Sequence, residues 1–202
     1  MLDEKRCGEI VELTQGIQGW AHLESLVSLY DIAQRAPQGT VIVELGSWKG
    51  LSSGWIGTAL KDRGHGRLYC VDTWAGTPSE QLHKDLLKEY AADQLYNEFL
   101  GNVRRLGLEE VIVPVRMDTR QAAREWKLGT SIAMLYIDAG HDYAEVRADF
   151  EHWSPNVIDG GVIVFDDVPS FAGPTRLVTE LPTWYRWAKA TPNQWAVVKL
   201  PA

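Results

Sequence analysis

The chain has 202 residues, 45% of them hydrophobic and 23% charged, which is the size and balance of one domain with a full core. Its formal net charge of -7 and pI of about 5.2 argue against nonspecific binding to nucleic acid or to an anionic membrane surface, both of which favour a basic face, and point to a small-molecule partner. Cys7 and Cys70 make no disulfide framework and have no metal-like spacing; the stretch from Met1 to Gly8 lacks a signal peptide's apolar core, and no run reaches the roughly 18 residues of a membrane span, so a cytoplasmic protein is expected.

In chain order, residues 9–36 carry a helical pattern, with Trp20, Leu23, Leu26, Val27 and Tyr30 on one face and Pro37-Gln38-Gly39 as its end. Val41-Ile42-Val43 reads as a buried parallel strand, followed by the turn Glu44-Leu45-Gly46-Ser47-Trp48-Lys49-Gly50. Ser52 to Leu60 then forms a helix whose free N–H groups face a ligand, and the glycines let that ligand approach the backbone. The spacing E-x-G-x-x-x-G differs from the G-x-G-x-x-G of a dinucleotide site, and the acidic Glu44 suits a nucleoside with a cationic end; the alternative is a tight turn with an exposed Glu.

Arg67 to Asp72 is a second strand ending in a carboxylate. Residues 74–106 exceed what a simple connection needs, and part of them is expected to act as a lid. Val111 to Asp118 is a third strand, placed away from the sheet centre because Pro114 cannot donate to a ladder, and Thr119 to Lys127 a helix. Ser131 to Asp138 is a buried strand, followed by Ala139-Gly140-His141 and a helix that Asp142 and Glu145 would open as a capping box and that ends at 158–161. Val162 to Asp167 is a fifth strand and Trp195 to Leu200 a closing one, with an irregular aromatic segment at 169–190 between them. Most of the nine tryptophans are expected in the core or a pocket wall.

Strands alternating with helices give a single α/β domain with a doubly wound, mostly parallel, Rossmann-like sheet, and ligands of such sheets sit outside the carboxyl ends of the strands. Glu44, Asp72, Asp118, Asp138, Asp166 and Asp167 all fall at or just before predicted strand ends, so all would face one crevice. Asp72 is placed to accept from ribose hydroxyls, or else to cap a strand end. Strands about 4.8 Å apart would bring Asp138, Asp166 and Asp167 together, and a divalent cation, Mg²⁺ or else Mn²⁺ or Ca²⁺, would relieve their repulsion; the alternative is a solvated turn. His141 overhangs the crevice as a general base or merely precedes a helix cap, and His22, His65, His83 and His152 are read as structural.

These motifs, Val43-Glu44-Leu45-Gly46-Ser47-Trp48-Lys49-Gly50-Leu51-Ser52, Tyr69 to Trp74, Ile137 to Tyr143 with Asp149, and Asp159 to Asp167, resemble those of class I S-adenosylmethionine-dependent methyltransferases, in particular the metal-dependent macrocin and mycinamicin type of small-molecule O-methyltransferase. The resemblance spans about Trp20 to Phe171. It implies a seven-stranded sheet and S-adenosyl-L-methionine held at its methionine end by Glu44, Gly46, Ser47 and Ser52, with Gly50 and Asp138 also in the cofactor site and Trp48 or Trp74 facing the sulfonium. It further implies Asp72 on the ribose, Asp118 near the adenine, a metal on Asp138, Asp166 and Asp167, and His141 or Asp138 as the base. The acceptor would be a hydroxylated small molecule such as a sugar or phenol, chosen by residues 74–100 and 169–190. The chain is shorter than the sugar-modifying relatives that assemble oligomers through an extra N-terminal segment, which leaves a homo-oligomer open. Competing readings are an oxidative enzyme of the cephalosporin hydroxylase-like kind, a non-catalytic binding module, and a NAD oxidoreductase, which the glycine spacing disfavours.

Overall fold

The computed structural model describes residues 1–77, 81–126 and 131–201. Five parallel strands, β1 (Val41–Leu45), β2 (Leu68–Asp72), β3 (Ile112–Arg116), β4 (Ile132–Ile137) and β5 (Val157–Phe165), are extended by an antiparallel hairpin, β6 (Tyr185–Thr191) and β7 (Gln194–Lys199). The sheet order is β3-β2-β1-β4-β5-β7-β6, so the chain reverses direction between β1 and β4 and opens a crevice at their carboxyl ends.

Both faces of the central strands are buried. Ile42, Met134 and Tyr136 point into a core with α1 (Glu4–Thr14), α2 (Leu23–Gln34), α3 (Leu51–Asp62) and α5 (Gln94–Arg105). Their neighbours Val43, Leu45, Leu135 and Ile137 pack against the opposite layer, built by α6 (Thr119–Glu125), α7 (Tyr143–Trp153) and α8 (Ala172–Thr179). The period-two alternation of strand side chains produces this division. β3 is the edge strand, as Pro114 requires.

Several elements differ from the sequence expectation. The leading helix is two helices, separated by residues 15–22, and that connection brings Trp20 to a cavity wall instead of a helix face. Residues 81–87 of the long connection form α4 (Gln81–Leu87), while 78–80 and Lys127 lie outside the described residues. Asp142 is the N-cap of α7 but makes no side-chain capping bond, and the Glu145 side chain lies over Gly140. The segment after α7 enters β5 at Val157, so Ile158 to Gly161 is strand. Residues 169–190 contain α8 and most of β6; Pro174 sits in the first turn of α8, where its missing N–H has no intrahelical partner to lose. Trp20, Trp184 and Trp187 are exposed. No helix among the described residues is long and apolar enough to cross a membrane.

Candidate active site

One cavity of about 700 Å³ lies at the carboxyl ends of β1, β2, β4 and β5, within the ~300–1,000 Å³ usual for small-ligand clefts. Its walls include Gly46, Ser47, Trp48, Ser52, Asp72, Asp118, Asp138, His141, Asp166 and Asp167. Five of the six strand-end acids therefore share this wall, and Glu44 stands behind it.

Glu44 corrects the sequence reading. It is 0% exposed and does not reach the cavity: its Oε2 accepts from the hydroxyls of Ser47 (2.7 Å) and Ser53, and its Oε1 accepts from Ser52 (2.6 Å). Burial pushes its carboxyl up from the ordinary range, so the group that looked like a ligand contact is a brace joining β1, the turn and the start of α3. Gly50 is likewise set back, as the N-cap of α3 with its Cα facing Phe99.

Gly46 holds the turn against β4. Its φ of +85° is left-handed, and an added Cβ would fall 2.6 Å from the Asp138 carbonyl carbon and 2.8 Å from Ala139 Cα. Asp72 ties the same turn down: Oδ2 accepts from the Ser47 and Trp48 backbone N–H groups (2.8 and 2.9 Å), and Oδ1 accepts from Trp74 N (2.7 Å). A carboxylate has about four acceptor positions, so roughly one remains for a ligand hydroxyl. Trp48 and Asp167 are held at φ +45° and +61°, sparsely populated conformations that recur where a site over-determines the backbone. Trp74 turns away from the cavity, with its ring on Tyr96 and Phe99 and its Nε1 donating to the Trp48 carbonyl. Asp118 lines the cavity while capping α6, accepting from Arg120 N and Gln121 N.

At the other end, Asp138, His141 and Asp167 present ligand atoms within 4.8 Å of one another. His141 Nε2 lies 2.6 Å from Asp167 Oδ2, and its ring stacks on Phe171 with centroids 4.0 Å apart. Asp166, expected in the same group, stands behind it. It is buried, its Oδ1 accepts from Asn193 Nδ2 (2.9 Å), and the Asn193 Oδ1 accepts in turn from Ser25 of α2 (2.6 Å). Tyr136 donates its hydroxyl to Asp138 Oδ2 (3.1 Å). Burial, and then the charges of Asp166 and Asp167, raise the Asp138 carboxyl well above its ordinary range; burial and the Asp167 charge raise Asp166 to about 7. Carboxylates kept this close and this dry favour either a shared proton or a cation.

The sequence reading missed the aromatic mouth. Trp48 and His83 stack at 4.9 Å, and Trp20 lies tilted against both. His83 Nδ1 accepts from Thr77 N (3.2 Å), Thr77 Oγ1 donates to the Ala139 carbonyl (3.1 Å), and Trp48 Nε1 donates to Gln18 (2.7 Å). His22 and His83, read as structural, line the cavity. No local pattern marks them, because they arrive from α4 and from the irregular connection before α2.

A family model described as a methyltransferase domain matches residues 43–168, which runs from β1 through the acidic pair after β5. The chain belongs to the methyltransferase domain family. Solved structures of the same fold include NovP, an O-methyltransferase, at 17% identity and a TM-score of 0.66, covering 89% of this chain and 81% of that one. Another is the O-methyltransferase TomG from Streptomyces achromogenes in complex with SAM, at 16% identity and 0.63, covering 98% and 91%. A third is CalS11, a TDP-rhamnose 3'-O-methyltransferase, at 17% and 0.59, covering 98% and 81%. At these identities the three structures show the fold, and the family match makes the chain a methyltransferase domain.

Proposed function

We propose that the domain transfers the methyl group of S-adenosylmethionine to a hydroxyl oxygen of a small natural product such as a sugar or phenol, with a divalent ion, Mg²⁺ or else Mn²⁺ or Ca²⁺, held by Asp138 and Asp167. The observation that carries this reading is the placement of the Asp138, His141 and Asp167 cluster in the wall of the same cavity as the Gly46 turn and Asp72. The residues fit both groups. For the cofactor, an acidic crevice with the Trp48 face suits a sulfonium, and the remaining acceptor position of Asp72 suits a ribose hydroxyl. For the ion, the Asp138 and Asp167 carboxylates, with oxygens within 4.8 Å of each other, form a hard oxygen pair compatible with Mg²⁺ or Mn²⁺.

Bound S-adenosylmethionine supplies a methyl group on a positively charged sulfur, and a bound divalent ion lowers the pKa of an acceptor hydroxyl. The chain's own part is alignment and proton removal. The Gly46 turn, fixed by Asp72 and Glu44, sets the backbone against which the cofactor lies, and such placement can supply roughly 7–11 kcal/mol of a barrier. His141 takes the acceptor's proton, its ring oriented by Asp167 on one side and stacked on Phe171 on the other. Asp166, tethered to Asn193, supports the cluster from behind.

Thermal unfolding with S-adenosylmethionine, S-adenosylhomocysteine or NAD, each with Mg²⁺ or EDTA, tests the assignment. The two sulfur ligands at about 100 times their dissociation constants should stabilise by roughly 2.7 kcal/mol. A response to NAD alone overturns the reading, and equal methyl transfer in Mg²⁺ and in EDTA removes the metal from it.

A further inference from the structure

The charge of the cavity wall selects among acceptors, and this inference rests on the methyl-transfer reading. Asp72, Asp118, Asp138, Asp166 and Asp167 are joined in the wall by Glu145 and Asp149, whereas the one Lys or Arg there, among the described residues, is Arg120. Arg120 is itself committed, with its Nη2 3.3 Å from Asp118 Oδ2. The seven carboxyl groups of the wall outnumber the positive charges of Arg120, a divalent ion and a sulfonium cofactor taken together. An independent feature of the same wall says what does fit: the Trp20 ring, tilted against Trp48 and His83, and the Phe171 ring over His141 present flat apolar faces at the mouth and beside the cluster. Phe171 is 40% exposed and Trp20 51%, so both have face left to offer.

We propose that the acceptor is a neutral or cationic hydroxylated ring compound seated on these aromatic faces, and that acceptors bearing a carboxylate or phosphate are rejected by the wall. Discrimination by repulsion needs no contact dedicated to the wrong ligand, because an anion would have to shed its water among carboxylates whose one neighbouring guanidinium, among the described residues, is already paired. A nucleotide-linked sugar, the acceptor class in the name of CalS11, falls on the excluded side. Rings stack on Trp20 and Phe171 in offset geometry, and an ammonium on the acceptor gains further from the same faces.

Three catechols of one ring and different charge isolate the effect: 4-methylcatechol (neutral), dopamine (cationic) and 3,4-dihydroxyphenylacetate (anionic). Their affinities are measured by calorimetry on the full chain saturated with S-adenosylhomocysteine and Mg²⁺, at low and high salt. The neutral and cationic probes should bind, the anion should bind at least about ten-fold more weakly than the neutral one, and the gap should narrow with salt as screening rises. Trp20→Ala should weaken the two bound probes by about 2- to 10-fold, the range of an aromatic pair. An anionic probe that binds as tightly as the neutral one overturns the inference, and so does failure of all three to bind. Affinity for S-adenosylhomocysteine is measured first on the same sample: its absence defeats the methyl-transfer reading, whereas its presence with the wrong probe order defeats only this one.

Discussion

Gly46→Ala, compared with Gly39→Ala, tests whether the turn is pinned against β4. Both glycines have a left-handed φ, +85° and +82°, so both substitutions carry the same backbone cost of about 1–2 kcal/mol. At Gly39 a new Cβ meets nothing within 4 Å, and that cost is the whole effect. At Gly46 the methyl would overlap the backbone of Asp138 and Ala139, which cannot yield as a flexible side chain would. Overpacking of this kind adds about 1–3 kcal/mol. Parting the strands also weakens the bond from Asp138 N to the Leu45 carbonyl (2.8 Å), a further ~0.5–1.5 kcal/mol. Gly46→Ala should therefore cost about 3–6 kcal/mol against about 1–2 for Gly39→Ala. Urea unfolding, with slopes compared to confirm two-state behaviour, reads both values. Because Asp138 must shift, Mn²⁺ affinity should fall with Gly46→Ala and stay unchanged with Gly39→Ala. A Gly46 variant no less stable than the Gly39 variant would refute the reasoning.

Three further outcomes follow from the site. Asp149, buried and accepting from Thr119 Oγ1 (2.5 Å), is raised by burial from 3.8 to about 6, so the folded protein keeps a proton that the unfolded chain has lost. Its contribution is full below pH 3.8 and is lost as pH rises to about 6, corresponding to about 3 kcal/mol. Asp149→Asn should remove that decline from urea midpoints measured across pH 4–7, and an unchanged slope would contradict it. Glu44→Ala strands the Ser47, Ser52 and Ser53 hydroxyls and should cost about 2–4 kcal/mol in denaturant unfolding, with Glu44→Gln clearly milder; a loss under about 1 kcal/mol for the alanine variant would show that the brace is idle. His141→Gln should lower kcat by about 10²- to 10⁴-fold while keeping Mn²⁺ affinity, and Asp167→Asn should lower Mn²⁺ affinity as well; a His141 variant that loses the ion makes that residue a ligand and not the base.

The doubly wound sheet was legible because its signals are local: a β-branched run for β1 and a continuous apolar run for β4, turns after each, and Pro114 marking β3 as an edge. The gathering of acids at one rim was legible too, since parallel strands all end on the same side. What side chains do at that rim was less so. Glu44 and Asp138 both end buried strands, yet only the second opens on the cavity, because Ser47, Ser52 and Ser53 close around the first. Asp166 and Asp167 are adjacent in sequence, but the left-handed backbone at Asp167 turns it toward His141 while Asp166 faces Asn193. The mouth depended on residues brought from far along the chain, Trp20, Trp48 and His83, whose meeting no periodicity encodes. α8 and β6 were hidden by the prolines and exposed aromatics of their segment.

The central claim is that cofactor and ion lie side by side in one cavity, and paramagnetic relaxation tests it most directly. Mn²⁺ added to the protein with bound S-adenosylmethionine should strongly broaden the S-methyl proton resonance, and Asp167→Asn should suppress that broadening at equal Mn²⁺ concentration. A bound cofactor whose methyl resonance is indifferent to Mn²⁺ would contradict the account.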